Sequence, residues 1–260
     1  MSLAEFIQRI KRRETPFYDR LYRIASGVRS AEAPYMRGWH DLLYHERRFR
    51  IVGWRSFWRV TYYQPLFRSR CAACGERLHL INSGQGLPYI DGNLRIVIGS
   101  RVTLYDRLTL IGLSVGEHPT LTVGDGTEVS QPVAILVGNE VNIGSSCIIG
   151  SSLIADNPGH NLDYKRRSQP VHRVLIGKVV IGDHVWAGYD SVIVGNVAVG
   201  FGAVIGARAV VTADVPPFCV VSGNPARIVY KLPFPKDKVE ELGEAEYRKY
   251  LDAELAAGTP

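Results

Sequence analysis

From Ile181 to Val211 the chain repeats itself every six residues. Ile181, Ala187, Ile193, Val199, Ile205 and Val211 occupy one position of the repeat, and Val185, Ser191, Val197, Ala203, Ala209 and Val215 fall four places later. A period of six does not suit an α-helix, whose period is 3.6, but it is a multiple of the strand period of two. Each unit reads as a strand of about three to four residues and a turn, with its first and fifth residues pointing inward. Gly182, Gly188, Gly200 and Gly206 fill the second position, where the expectation is a backbone conformation that side chains resist. Such units cannot bury an apolar face alone, so they must stack. Three units per coil close a triangular prism, the left-handed parallel β-helix, an exception to the usual right-handed crossover.

The beat reads as eight units from Ile181 to Ile228, and it recurs upstream with slips. Val123, Val129 and Ile135 form one frame; Val137, Ile143, Ile149 and Ala155 form another; Ile98 and Leu104 begin a rougher stretch. Between Asp156 and Val174 the pattern stops, which predicts a loop thrown out of a coil. The expected organisation is a basic, aromatic extension over 1–76, the β-helix over 77–232 with its loop at 156–174, and a C-terminal helix over 233–260. Val239, Leu242, Tyr247, Tyr250, Leu251 and Leu255 give that last segment an amphipathic spacing.

Composition narrows the class. Of 260 residues 46% are apolar, enough for a sizeable core. No run of apolar residues is long enough to span a bilayer. The opening MSLAEFIQRIKRRE lacks the apolar stretch of a signal peptide, and four unpatterned cysteines suit no disulfide framework, so the expected compartment is the cytosol. Charge is uneven: residues 1–70 hold 15 Lys and Arg against 6 Asp and Glu, and the remainder hold 16 against 19. The same 70 residues hold 14 of the 25 Phe, Trp and Tyr, in a pattern that suits short helices and loops. FWRVTYYQPLFRSR (57–70) could cap the open end of the prism or lie on anionic lipid at the inner face of a membrane. No nucleic-acid-binding module is readable.

IGDHVWAGYDSVIVGNVAVGFGAVIGARAVVTADVPPFCVVSGNPARIV resembles the closing coils of hexapeptide-repeat acyltransferases, and IADNPGHNLDYKRR resembles their catalytic loop. The likeness covers about 90–232, and the kin are galactoside, maltose and polysaccharide O-acetyltransferases. It implies acetyl-CoA as co-substrate, no metal, a homotrimer with sites between neighbouring prisms, and a sugar or polysaccharide precursor as acceptor. His160 matches the family's base, and Asp163 and Asp156 are both near enough in sequence to orient it. Imidazole titrates near neutral pH and suits proton abstraction from a hydroxyl. Trp186, Ala207 and Thr212 match positions along the pantetheine arm, and Arg227 and Lys231 match the phosphate end, where charge and fork geometry matter. Ala213 stands where the family often has Lys, which removes one phosphate contact.

Other readings share the prism. Transfer to an amino sugar would use the same donor. A carbonic-anhydrase-like zinc enzyme needs three converging histidines, and His160, His172 and His184 are each twelve residues apart, whereas the only H-x4-H, His40/His45, lies outside the prism. Cys71 and Cys74 form a lone CxxC with His79 nearby and no evident fourth ligand. A trimeric scaffold without catalysis is the third reading.

Overall fold

The computed structural model describes residues 2–113, 118–130 and 132–233, and the C-terminal helix expected from the sequence lies outside them. The chain forms two compact units that divide after Val52. The first is helical, with α1 (Leu3–Arg12), α2 (Pro16–Ser30) and most of α3 (Arg37–Trp58). Ser2 opens α1 with a capping box: its hydroxyl accepts from Glu5 N, and the Glu5 carboxylate accepts from Ser2 N. Thr15 caps α2 ahead of Pro16, whose fixed φ suits a first helical turn. The 22 residues of α3 exceed the short helices expected, because no proline interrupts them.

The second unit passes through a π-turn (Arg59–Tyr63) and α4 (Gln64–Arg68) into the coils. Phe67 of α4 is 1% exposed and belongs to the same hydrophobic core as the buried residues of the coils. Coil 1 comprises β1 (Ala73–Cys74), β2 (His79–Ile81) and β3 (Tyr89–Gly92); coil 2, β4 (Arg95–Ile98), β5 (Thr103–Tyr105) and β6 (Leu108–Gly112). Coil 3 comprises β7 (Thr120–Val123), β8 (Glu128–Val129) and β9 (Val133–Val137); coil 4, β10 (Glu140–Ile143), β11 (Ile148–Ile149) and β12 (Ser152–Ala155). Coil 5 comprises β13 (Lys178–Ile181), β14 (Trp186–Ala187) and β15 (Ser191–Val194); coil 6, β16 (Val197–Val199), β17 (Val204–Ile205) and β18 (Val210–Val211). The first strands of successive coils pair in parallel as sheet A, the second as sheet B and the third as sheet C. These are the three faces of a left-handed parallel β-helix.

All six residues of the beat from Ile181 to Val211 are at most 2% exposed, and the set four places later is buried as well. The beat ends sooner than expected. Pro216 and Pro217 follow Val215, which bridges Val199 one coil away, and β19 (Cys219–Ser222) then pairs with β17. The chain turns back as β20 (Arg227–Lys231), antiparallel to β19, so Ile228 lies on an added edge strand and is not an eighth unit. Each coil turns from sheet A to sheet B through one residue with positive φ: Arg77, Arg101, Gly126, Ser146, His184, Gly202 and Phe218. Only two of the seven are glycine, so the ladders on either side hold side-chain-bearing residues in a region they seldom adopt.

The second-position glycines answer to a different constraint from the one expected. None of Gly182, Gly188, Gly200 or Gly206 has positive φ; each lies against the backbone of the next coil. A Cβ on Gly200 would stand 2.4 Å from Pro217 N, and one on Gly188 would stand 2.8 Å from Ala207 N. We expect Gly200→Ala to destabilise the protein by about 1–3 kcal/mol through overpacking, read as a lower midpoint of urea unfolding with the slope unchanged.

Asp106, fully buried, organises the turn before β3. Its carboxylate accepts from the backbone N–H groups of Ser83, Gly84, Gln85 and Gly86 and from the Ser83 hydroxyl. Burial pushes its pKa up, but the Ser83 hydroxyl and these N–H groups outweigh that and hold it below the ordinary value. A folded-state pKa below the unfolded one gives stability that is present above about pH 4 and is lost as pH falls through the folded value. Asp106→Asn is expected to lower the melting temperature at neutral pH and to flatten its decline in acid, measured by thermal melts from pH 7 downward.

Candidate active site

The strand β12 ends at Ala155 and β13 begins at Lys178, and the chain between them leaves the prism at the edge where sheet C turns to sheet A. Its neck is pinned. Gly177 N donates to Asp156 O at 2.8 Å, and Asn139 Nδ2 donates to Gly177 O at 3.2 Å. The Asp156 carboxylate is fully buried. One of its oxygens accepts from Gly138 N at 2.6 Å and Asn157 Nδ2 at 2.8 Å, and the other from Asn139 N at 2.7 Å and Glu140 N at 2.8 Å. Asn157 also donates to Leu136 O at 3.0 Å and accepts from Gly159 N at 2.9 Å. Gly159 has φ +76°, so a side chain there would strain the turn.

His160 follows that turn, exposed and without a hydrogen-bond partner among the described residues. Beyond it Asn161 accepts from Asp163 N and reaches Pro170 O across the loop, while Asp163 accepts from Lys165 N at 3.0 Å and lies 3.8 Å from Arg166. Neither acid named from the sequence bonds to His160 among the described residues. Asp156 spends its acceptor capacity on the neck, whereas Asp163 is exposed and retains lone pairs. The anchoring roles of Asn139 and Asn157 were not read from the sequence. The signal was there in DNPG, because Asp and Asn directly before Pro–Gly close turns with their side chains.

The remaining residues do not gather around His160 in one chain. Trp186 is 54% exposed on sheet B, in a row with Ile148 and Val204. Sheet B is the face opposite the C–A edge from which the loop leaves. Ala207 lies at the corner between sheets B and C, and Thr212 just after β18 at the C–A edge two coils beyond the loop; both are exposed. Arg227 and Lys231 stand at opposite ends of β20, about 13 Å apart at strand rise.

The Cys71–Cys74 pair has its own environment. Burial first, and then the neighbouring Cys74, push the Cys71 thiol up to about 12, and a protonated thiol is a poor metal ligand. Arg59 donates to His79 Nδ1 at 2.5 Å; burial and that guanidinium both lower the His79 pKa. Among the described residues no group of three His, Cys, Asp or Glu side chains converges as metal ligands would.

The chain is similar to known proteins over its coils. It is 33% identical over 134 residues to a chloramphenicol acetyltransferase of Klebsiella aerogenes, a match covering 45% of this chain and 63% of that one. Across the chloramphenicol acetyltransferases it matches, the chain spans 52% to 64% of their length. The putative acetyltransferase YvoF of Bacillus subtilis is 32% identical over 147 residues, 56% of this chain and 76% of that protein. Among solved structures, the N-acyltransferase AntD of Bacillus cereus superposes with a TM-score of 0.52 at 22% identity, covering 73% of this chain and 96% of that one, and so shares the fold. No protein-family model matches the chain. With a six-residue coil repeat, a stacked three-sheet prism and a putative acetyltransferase matched over three quarters of its length, the chain belongs to the hexapeptide-repeat acetyltransferases.

Proposed function

We propose that the protein is an acetyl-CoA-dependent O-acetyltransferase acting on a sugar hydroxyl in a surface polysaccharide or its precursor, with His160 as general base. The observation that carries the reading is an exposed imidazole without a protein partner, held on a loop pinned at its neck, in an acetyltransferase prism. The acceptor oxygen attacks the thioester carbonyl carbon as His160 takes its proton. The tetrahedral intermediate collapses, the C–S bond breaks, and the imidazolium returns the proton to the departing thiolate, leaving an ester and free CoA. A thioester is already activated, so the step calls on neither a metal nor ATP. Asp156 positions the loop, and Asp163 is the carboxylate with capacity to orient the imidazolium. Trp186, Ala207 and Thr212 line the pantetheine arm, and Arg227 and Lys231 meet the phosphate end at two separate points.

The acyltransferase domain in this reading is 77–232, with 1–76 and 233–260 as flanking segments. A homotrimer accounts for the placement of Trp186 on the face opposite the loop: a face of one prism and the edge of its neighbour together supply what one chain holds apart. The setting is cytoplasmic, where acyl-CoA is available. The test is incubation with radiolabelled acetyl-CoA and a panel of neutral, acidic and amino sugars and their polymers. Base-labile label on a sugar supports O-transfer; base-stable label on an amino sugar replaces it with N-transfer. No label, together with no rise in melting temperature on adding acetyl-CoA, overturns the enzyme reading in favour of a scaffold.

A further inference from the structure

The helical unit leaves an apolar stripe of α2 uncovered. Phe17, Leu21, Ile24 and Val28 follow one another at spacings of four, three and four, which keeps them on one side of the helix. Phe17, Ile24 and Val28 are 62%, 56% and 74% exposed. The side of α2 that meets α1 is a different one, marked by Tyr18 edge-on to Phe6 at 5.8 Å. On α1, Leu3 and Ile7 are one turn apart and also exposed. Large apolar side chains left in water along one helix side mark a surface that something covers.

Charge identifies the occupant. Residues 1–52 hold 11 Lys and Arg against 6 Asp and Glu, a net of +5 out of the chain's +6. Four of those acids are committed locally: Glu5 to the capping box, Glu14 to Arg9 and Arg12 of α1, Asp19 to Arg13 of the turn and Arg23 of α2, and Glu46 to Arg50. Arg20 and Arg29 have no acidic partner among the described residues, and Arg20 sits within the stripe, three residues after Phe17 and four before Ile24. A second copy would bring +5 against +5. An anionic bilayer supplies the opposite charge and an apolar layer beneath it. We infer that this helical unit docks on the surface of an anionic lipid bilayer, with Phe17, Ile24 and Val28 at the headgroup–acyl boundary and Arg20 and Arg29 at the lipid phosphates. The inference stands apart from acetyl transfer.

The test sediments the full-length protein with vesicles of phosphatidylcholine alone or mixed with phosphatidylglycerol. Partitioning onto the anionic vesicles is expected to be at least about tenfold stronger and to weaken as salt rises. The variant Phe17→Asp/Ile24→Asp/Val28→Asp is expected to lose binding by at least about tenfold. Arg20→Glu/Arg29→Glu keeps every apolar side chain of the stripe and is expected to lose the preference for phosphatidylglycerol, which keeps the test open where the triple variant fails to fold. Equal partitioning of the wild-type chain onto both vesicles, or binding that neither variant alters, would overturn the inference. So would lipid-free self-association that the triple variant abolishes, since the stripe would then be covered by a second copy.

Discussion

His160→Ala lowers kcat for acetyl transfer by about 10²–10⁴, the range a positioned general base supplies, while the melting temperature stays where it was. The two halves of this expectation come from the same geometry. The side chain is exposed and bonds to nothing among the described residues, so removing it breaks no packing and orphans no polar group. The turn that presents it rests on Asn157 and Gly159, which the substitution leaves alone. In the proposed reading acetyl-CoA binding uses the coils and not the imidazole, so its dissociation constant is expected to hold within about twofold, a loss made in the transition state alone. Steady-state kinetics with a saturating acceptor, beside a thermal melt and a binding titration, measures all three. Unchanged kcat would remove His160 from the chemistry. A fall in melting temperature that tracks the lost activity would make it a structural residue of the loop.

Much of the prism was legible because its constraint is strictly local and repeats. Ile181, Ala187 and Ile193 each take one side of a strand, and the period of six forces all of them inward. The same logic misjudged the second-position glycines. A glycine signals either backbone freedom or lack of space, and the sequence alone does not separate them; Gly200 lies against Pro217, in the following coil, in a contact no local pattern encodes. The end of the beat was missed because β20 is added by strand pairing, which a count of six-residue units carried on to Ile228 does not register. At the site, the break in the beat and the likeness of its loop to the family's brought out His160 as a candidate, but the work of Asp156 depended on Gly138, Asn139 and Glu140, which arrive from the preceding corner through the fold. The separation of Arg227 from Lys231 was likewise hidden, because a basic run looks the same whether strand or turn carries it.

Asp156 and Asp163, both near His160 in sequence, are expected to part company under the same substitution. Asp156→Asn should destabilise the fold by about 2–4 kcal/mol, roughly 5–15 °C in melting temperature for a chain of this size. The carboxylate accepts four N–H donors, two on each oxygen, in full burial. An amide in its place must aim its NH2 group at one of those pairs, so that two buried donors meet two more and none is satisfied. The loop neck at Gly177 then loses its reference to the corner at 138–140, so kcat falls along with stability although the residue touches no substrate in this reading. Asp163→Asn should leave the melting temperature within about a degree, because that side chain is exposed and its bonds stay within the loop. If Asp163 orients the imidazolium, its kcat falls nonetheless, and the loss adds little to that of His160→Ala when the two are combined. Thermal melts and steady-state rates of the two single variants and the double separate these roles. A melting temperature for Asp156→Asn that matches the wild type would show that the neck does not depend on this carboxylate, and that a bond pattern which looks structural leaves Asp156 free to act on His160.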